Sequence, residues 1–170
     1  MRSLTVVTIL AGLTSPILAA DLTPDMLQAM LAAQDAATVV QSLDNRPGAD
    51  DPWAQVLTHM RAGEQDWLDL VPLLAPGTDA GTADALRMAL SQALTHNPAG
   101  VLGLIPERYS ASAICRDGAS AAPVTAPVTG AVDFIDDALV AVAAILDPAL
   151  MPARNACIQA LGAARIAALI

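Results

Sequence analysis

The stretch DPWAQVLTHMRAG, residues 51–63, predicts a helix more clearly than any other part of this chain. Asp51 is a capping residue, and Pro52 follows it at the first helical position. Apolar side chains then recur at i, i+3, i+4 and i+7, which places them on one helix face. They are Trp53, Val56, Leu57 and Met60. Gly63 supplies a left-handed stop, so we predict an amphipathic helix with one buried face.

The same pattern continues on both sides of this segment. Towards the N-terminus, Thr23-Pro24-Asp25 predicts a helix start, and the polar run 44–48 predicts the loop that follows this first helix. Towards the C-terminus, apolar residues between Trp67 and Leu74 keep helical spacing, although Pro72 must kink or break that helix. Further helices are predicted to open at 82–84 and at 97–98, to span 131–146, and to run from about Pro152 to the C-terminus. One more helical turn is predicted at 110–115.

Composition supports an all-α fold. Of 170 residues, 55% are apolar but only 2% are aromatic, and much of the apolar fraction is Ala and Leu, which favour helices. A chain of about 150 residues can bury roughly 68–70% of its unfolded surface. We therefore predict a single all-α domain over residues 21–170, with six to seven short amphipathic helices and a flexible Ala/Pro/Thr loop at 117–130.

Three Asx-Pro helix starts recur at Asp51, Asn97 and Asp147, 46 and 50 residues apart. With short helices and a proline-kinked helix at Pro72, residues from about 51 to 170 resemble HEAT-type helical hairpins. The resemblance implies a short HEAT-like stack that binds proteins, and it implies no catalytic residues. An irregular helical bundle is the alternative arrangement.

The first twenty residues have the pattern of a secretory signal. Arg2 provides the short positive region, residues 4–18 are mainly apolar, and Ala19-Ala20 forms a small-residue cleavage site. A membrane anchor is the alternative, but Pro16 and the short apolar run fit it poorly. We predict cleavage after Ala20, a periplasmic or secreted bacterial protein, and no membrane insertion once the signal is removed.

Export determines how the two cysteines are interpreted. Thiols tend to pair in an oxidising compartment, so Cys115 and Cys157 are predicted to form a disulfide. Closing a loop of about 40 residues would stabilise the fold by roughly 4 kcal/mol in the chain-entropy description. A reactive or metal-binding pair is the alternative, but the sequence has no CxxC motif to support it.

The charge balance excludes one class of partner. The chain has 17 acidic residues against 8 basic ones, all Arg, and a formal net charge of −9. The chain lacks a basic patch that could release counterions from a nucleic acid, so we predict that it does not bind nucleic acid. A basic protein is instead the favoured partner, because opposite charge speeds association.

Signals for catalysis are sparse. No GxSxG elbow occurs, and the Gly77–Gly81 segment lacks the lysine of a phosphate loop. The two histidines, His59 and His96, have no spacing that supports a shared site with Asp66. We predict no enzyme activity and no cofactor.

Two clusters of acids leave alternatives open. Asp133, Asp136 and Asp137 could bind a divalent cation through their carboxylates, or could be a solvated helix start. Glu64, Asp66 and Asp69 are interpreted as a helix start as well. Paired carboxylates could also serve a cell-wall hydrolase, although four aromatic residues leave few sugar platforms.

Protein binding is therefore the leading functional prediction. Trp53 and Trp67 belong to the residue type most enriched in binding hot spots, and they are interpreted as either core or contact residues. Arg61 and Arg87 could lie at the rim. An inhibitor or immunity-type protein is one specific version, a divalent-metal binder or hydrolase is one alternative, and a structural envelope protein is another. The sequence does not fix an oligomeric state.

Overall fold

The computed structural model describes residues 22–45, 51–117 and 128–170. These three ranges contain nine α-helices and no strand, which confirms the all-α class. The helices are α1 (Pro24–Ala33), α2 (Ala36–Asp44), α3 (Pro52–Arg61), α4 (Gln65–Leu68), α5 (Val71–Leu74), α6 (Ala80–Ala93), α7 (Pro98–Leu102), α8 (Val128–Ala143) and α9 (Met151–Ala168). Short 3₁₀ turns lie at Ala75–Gly77 and Pro148–Leu150, and a π-helical segment spans Ser112–Asp117.

The predicted count of six to seven helices is wrong because two predicted helices are each divided. The first divides into α1 and α2, since the Asp35 side chain accepts a hydrogen bond from the Thr38 amide at 2.9 Å and caps a new helix start. The third divides into α4 and α5, with Pro72 in the first turn of α5, and ends in the 3₁₀ turn Ala75–Gly77.

The observed starts of α6 and α8 also differ from the predicted ones. Helix α6 begins at Ala80 rather than at 82–84, because Asp79 and Thr82 form a reciprocal capping box. Helix α8 begins at Val128, so the last three residues of the predicted loop 117–130 are helical, and Asp117 belongs to the π-helical segment. The rest of that loop, residues 118–127, and the predicted signal 1–20 lie outside the described residues.

One hydrophobic core is shared by two groups of helices. Helix α3 packs on α6, and α2 packs on α3 and on the 3₁₀ turn that follows α5. Helix α8 packs along α9, which also packs on the π-helical segment. The predicted stripe Trp53, Val56, Leu57 and Met60 is buried.

The predicted disulfide between Cys115 and Cys157 is confirmed, with a Cα–Cα distance of 5.4 Å. It joins the π-helical segment to α9, and both residues are fully buried. No helix in the described part of the chain has the length and apolar character needed to span a membrane.

Candidate functional site

The turn between α3 and α4 is held by the side chain of Asn97. Gly63 has a φ of +72°, a conformation that favours glycine. The Asn97 Nδ2 atom donates to the Gly63 carbonyl at 2.9 Å, and its Oδ1 accepts from the Gly100 amide at 3.0 Å. One side chain therefore caps α7 and fixes where α4 begins.

The same network continues along the exposed side of α4. Asn97 Nδ2 also donates to Gln65 Oε1 at 2.9 Å, and Gln65 Nε2 donates to Asp69 Oδ1 at 2.7 Å. The Asp69 carboxylate is thereby held in one orientation without a cationic partner.

Asp69 borders a groove between the start of α1 and the α4–α5 segment, which we call the acidic groove. Its volume is about 370 Å³, and its lining includes Pro24, Asp25, Asp66, Asp69, Leu70 and Leu73. Residues 25 and 69 are far apart in the sequence, so the fold brings their carboxylates to one groove. The arrangement concentrates three negative charges around apolar side chains.

The carboxylates of the acidic groove lack a neighbouring cation. Among the described residues, no Arg or His nitrogen lies within 4.0 Å of Asp25, Asp66 or Asp69. The ion pairs found in this part of the chain are His59–Glu64, Arg87–Asp84, Arg116–Asp117 and Arg165–Asp136. The groove therefore keeps its negative charge available to a cationic ligand.

Apolar surface accompanies this charge. Leu73 is 48% exposed at the groove, and Met26, beside Asp25 in α1, is 45% exposed. A second groove of about 440 Å³ also borders Asp69 and includes Pro72, Gly103 and Leu104 in its lining. The surface around α4 and α5 thus offers both carboxylates and aliphatic contacts.

The two tryptophans are placed in the core, and each is 3% exposed. The His59 ring stacks on Trp67 with centroids 4.6 Å apart, and His59 Nδ1 donates to Glu64 Oε1 at 2.8 Å. A partner could touch His59 and Glu64 but would not reach the Trp67 ring in this conformation. His96 is exposed, and a Cβ atom on Gly63 would lie 3.1 Å from the His96 Cβ.

The two candidate rim arginines differ in their surroundings. Arg87 donates to Asp84 at 2.7 Å, and its side chain is 34% exposed. Burial raises the pKa of the nearby Tyr109 above its ordinary value of 10.0, while the positive charge of Arg87 opposes that rise. Arg61 is half-buried at the end of α3. Neither side chain lines the acidic groove.

The candidate cation ligands on α8 do not face one another as a set. Arg165 Nε donates to Asp136, and this hydrogen bond lowers the pKa of the Asp136 carboxyl. Asp133 and Asp137 are exposed on the same helix. In the described part of the chain, no group of three His, Cys, Asp or Glu side chains is arranged to hold a metal ion.

Only part of the acidic groove could be recognised in the sequence. Glu64, Asp66 and Asp69 form a recognisable cluster, but helix-dipole reasoning explained them as a helix start. The contribution of Asp25 depends on how α1 packs, which periodicity does not reveal. The exposure of Leu73 could not be predicted either, because the sequence places it within an apolar stretch of helical spacing.

No protein-family model, curated protein or solved structure matches this chain. The acidic groove and its neighbouring residues are therefore the features of this chain that bear on its function.

Proposed function

We propose that this chain is an exported, non-catalytic protein-binding module that takes a basic partner at the acidic groove. The observation that supports it best is the presence of three carboxylates, Asp25, Asp66 and Asp69, around exposed aliphatic surface and without a cation among the described residues. Export is supported by the signal-like residues 1–20 and is compatible with the buried disulfide.

The groove suits a Lys or Arg side chain of the partner. The aliphatic stem of such a side chain would cover Leu73 and Pro24, while its charged head would approach the carboxylates. Exposed ion pairs contribute only about 0.2–1 kcal/mol each, so affinity requires several contacts. The neighbouring groove at Asp69 provides room for a second side chain of the same partner segment.

Net charge adds a kinetic advantage. The formal charge of −9 attracts a basic protein before contact, which raises the association rate and makes it sensitive to salt. An inhibitor or immunity-type protein that blocks a basic cell-wall-degrading enzyme would use this property. In this proposal Trp53 and Trp67 act by supporting α3 and α4, and Arg61 and Arg87 lie away from the groove.

A HEAT-like arrangement of the helices would make this proposal more specific, because HEAT-type hairpins form protein-binding scaffolds. The consecutive helices α8 and α9 pack along each other as a helical hairpin does, which favours a scaffold role. Helix α3 instead packs on α6, across two short helices, which favours an irregular bundle.

Titration of the ¹⁵N-labelled oxidised chain with an amphipathic Arg/Leu peptide tests the groove by NMR. A peptide in which Glu replaces every Arg serves as the charge control. We expect chemical-shift changes centred on α1, α4 and α5 for the basic peptide alone. The Asp25→Asn/Asp66→Asn/Asp69→Asn variant should bind at least about tenfold more weakly, which corresponds to about 1.4 kcal/mol.

A matched variant separates the groove from bulk charge. Asp133→Asn/Asp137→Asn/Glu107→Gln removes the same three charges from exposed residues elsewhere. This control should lose little affinity. If the two variants lose the same amount of affinity for the peptide, or if the chemical-shift changes spread over the whole surface, the interaction is nonspecific charge attraction. The groove would then not be the binding site.

A further inference from the structure

The second groove shares Asp69 with the acidic groove, and we call it the glycine groove. Its volume is about 440 Å³, and its lining includes Leu68, Asp69, Pro72, Gly100, Gly103 and Leu104. The α4–α5 segment contributes to the walls of both grooves. Helix α1 completes the acidic groove, whereas α7 and the residues after it complete the glycine groove. A partner segment bound over Asp69 therefore reaches both grooves.

The glycine groove is open at Gly103, although the fold does not require a glycine there. Gly103 has a φ of −61°, a helical value that any L-residue adopts. Among the described residues, a Cβ atom on Gly103 would meet the Gly100 and Ala99 carbonyl oxygens at 3.4 and 3.6 Å, which are ordinary contact distances. At Gly100, by contrast, a Cβ atom would lie 2.8 Å from both Gln65 Oε1 and Leu68 Cδ1. The packing of α4 on α7 therefore explains Gly100, whereas the missing side chain at Gly103 leaves room for atoms of a ligand.

The polar side chains of the glycine groove are already partnered. Gln65 Nε2 donates to Asp69 Oδ1 at 2.7 Å, and Gln65 Oε1 accepts from Asn97 Nδ2 at 2.9 Å. The rest of the lining is aliphatic or small. An anionic ligand group would be repelled by Asp69, and a cationic one would lose hydration against aliphatic surface with a single carboxylate in the groove. An aliphatic side chain loses no hydrogen bond on burial and gains from apolar contact.

We propose, on the basis of the function proposed above, that the glycine groove binds an aliphatic side chain of the basic partner. The acidic groove, with its three carboxylates, holds the neighbouring Lys or Arg side chain of the same segment. The partner therefore presents a cationic and an aliphatic side chain side by side. Gly103 limits the size of the aliphatic group, because a side chain at this position would occupy the groove.

Isothermal titration calorimetry of the oxidised chain with two peptides tests this selection. One is the amphipathic Arg/Leu peptide, and the other keeps every Arg but has Ser in place of every Leu. We expect the wild type to bind the Arg/Leu peptide at least about tenfold more tightly, which corresponds to about 1.4 kcal/mol. Gly103→Leu fills the groove and should remove most of that preference. Ala99→Leu fills the same groove from an exposed residue of α7 and should do the same.

Two control variants separate the glycine groove from other effects. Gly162→Leu adds the same side chain at a position that lines neither groove and has open space around its Cβ, so it should keep the preference for the Arg/Leu peptide. Asp25→Asn/Asp66→Asn lowers the charge of the acidic groove alone and should weaken both peptides while keeping the ratio of their affinities. Circular dichroism spectra of all the variants should match that of the wild type.

The possible failures of the two proposals are distinguishable. If the wild type binds both peptides equally well at the acidic groove, or if Gly103→Leu and Ala99→Leu keep the wild-type ratio, the glycine groove is not an aliphatic site and the proposed function still stands. If neither peptide binds, the proposed function fails and the aliphatic site fails with it. Amide shifts of Gly100 and Gly103 that change with the concentration of the free chain would assign the groove to a second copy instead.

Discussion

At the scale of single residues, one glycine and one asparagine determine where α4 starts. A Cβ atom on Gly63 would lie 2.8 Å from the Asn97 Cβ, and the backbone there has a positive φ. Asn97 in turn connects the Gly63 carbonyl, Gln65 and the first turn of α7. Because Gln65 orients Asp69, the geometry of the acidic groove depends on these two residues.

Gly63→Ala should therefore destabilise the protein. The left-handed conformation costs an L-residue roughly 1–2 kcal/mol, and the contact with Asn97 adds to that cost, so we expect a loss of about 2 kcal/mol in the free energy of unfolding. Urea denaturation at low micromolar concentration measures it. Gly162→Ala is the matched control: it lies inside α9 with open space around its Cβ. This change should stabilise the fold by about 0.5–1 kcal/mol. Equal effects of the two substitutions would contradict the role of Gly63.

At the scale of elements, the features that apolar periodicity controls were predicted from the sequence. The all-α class, the α3 helix and the Cys115–Cys157 bond follow from local spacing and from the predicted compartment. The division between α1 and α2 was missed because apolar spacing continues across it, whereas the Asp35 cap ends the hydrogen-bond ladder. The acidic groove was missed because it depends on the docking of α1, which is a tertiary contact without a local signal.

The disulfide joins two elements whose packing it maintains. The π-helical segment Ser112–Asp117 contacts α6 and α9, and the bond to Cys157 ties it to α9. A Cys115→Ala/Cys157→Ala variant should lose about 3–4 kcal/mol of stability, since its unfolded chain regains the freedom of a loop of about 40 residues. The melting temperature should fall by roughly 10 °C, at about 2–4 °C per kcal/mol. An unchanged calorimetric transition would mean that this contact holds without the bond.

At the scale of the whole molecule, two electrostatic effects oppose each other as the pH falls. The many acids repel one another at neutral pH, and their protonation towards the pI of about 4.3 relieves that repulsion. A smaller set of carboxylates stabilises the folded state only while ionised. Hydrogen bonds from Thr38, from Thr82 and from Arg165 hold the pKa values of Asp35, Asp79 and Asp136, respectively, below 3.8.

The sign of the pH dependence follows from those lowered pKa values. A carboxyl group with a lower pKa in the folded state stabilises the fold above its ordinary pKa, and this contribution is lost as the pH falls through the folded value. We expect stability to change little between pH 7 and pH 5 and to drop below about pH 4. Urea unfolding across this range measures the slope.

Asp79→Asn keeps a capping side chain but cannot ionise, so its acid slope should be shallower than that of the wild type. Asp133→Asn removes an exposed carboxylate that accepts no hydrogen bond in the described part of the chain, and its slope should match the wild type. A wild-type slope in the Asp79→Asn variant would show that general charge repulsion, and not the capping carboxylates, governs acid unfolding.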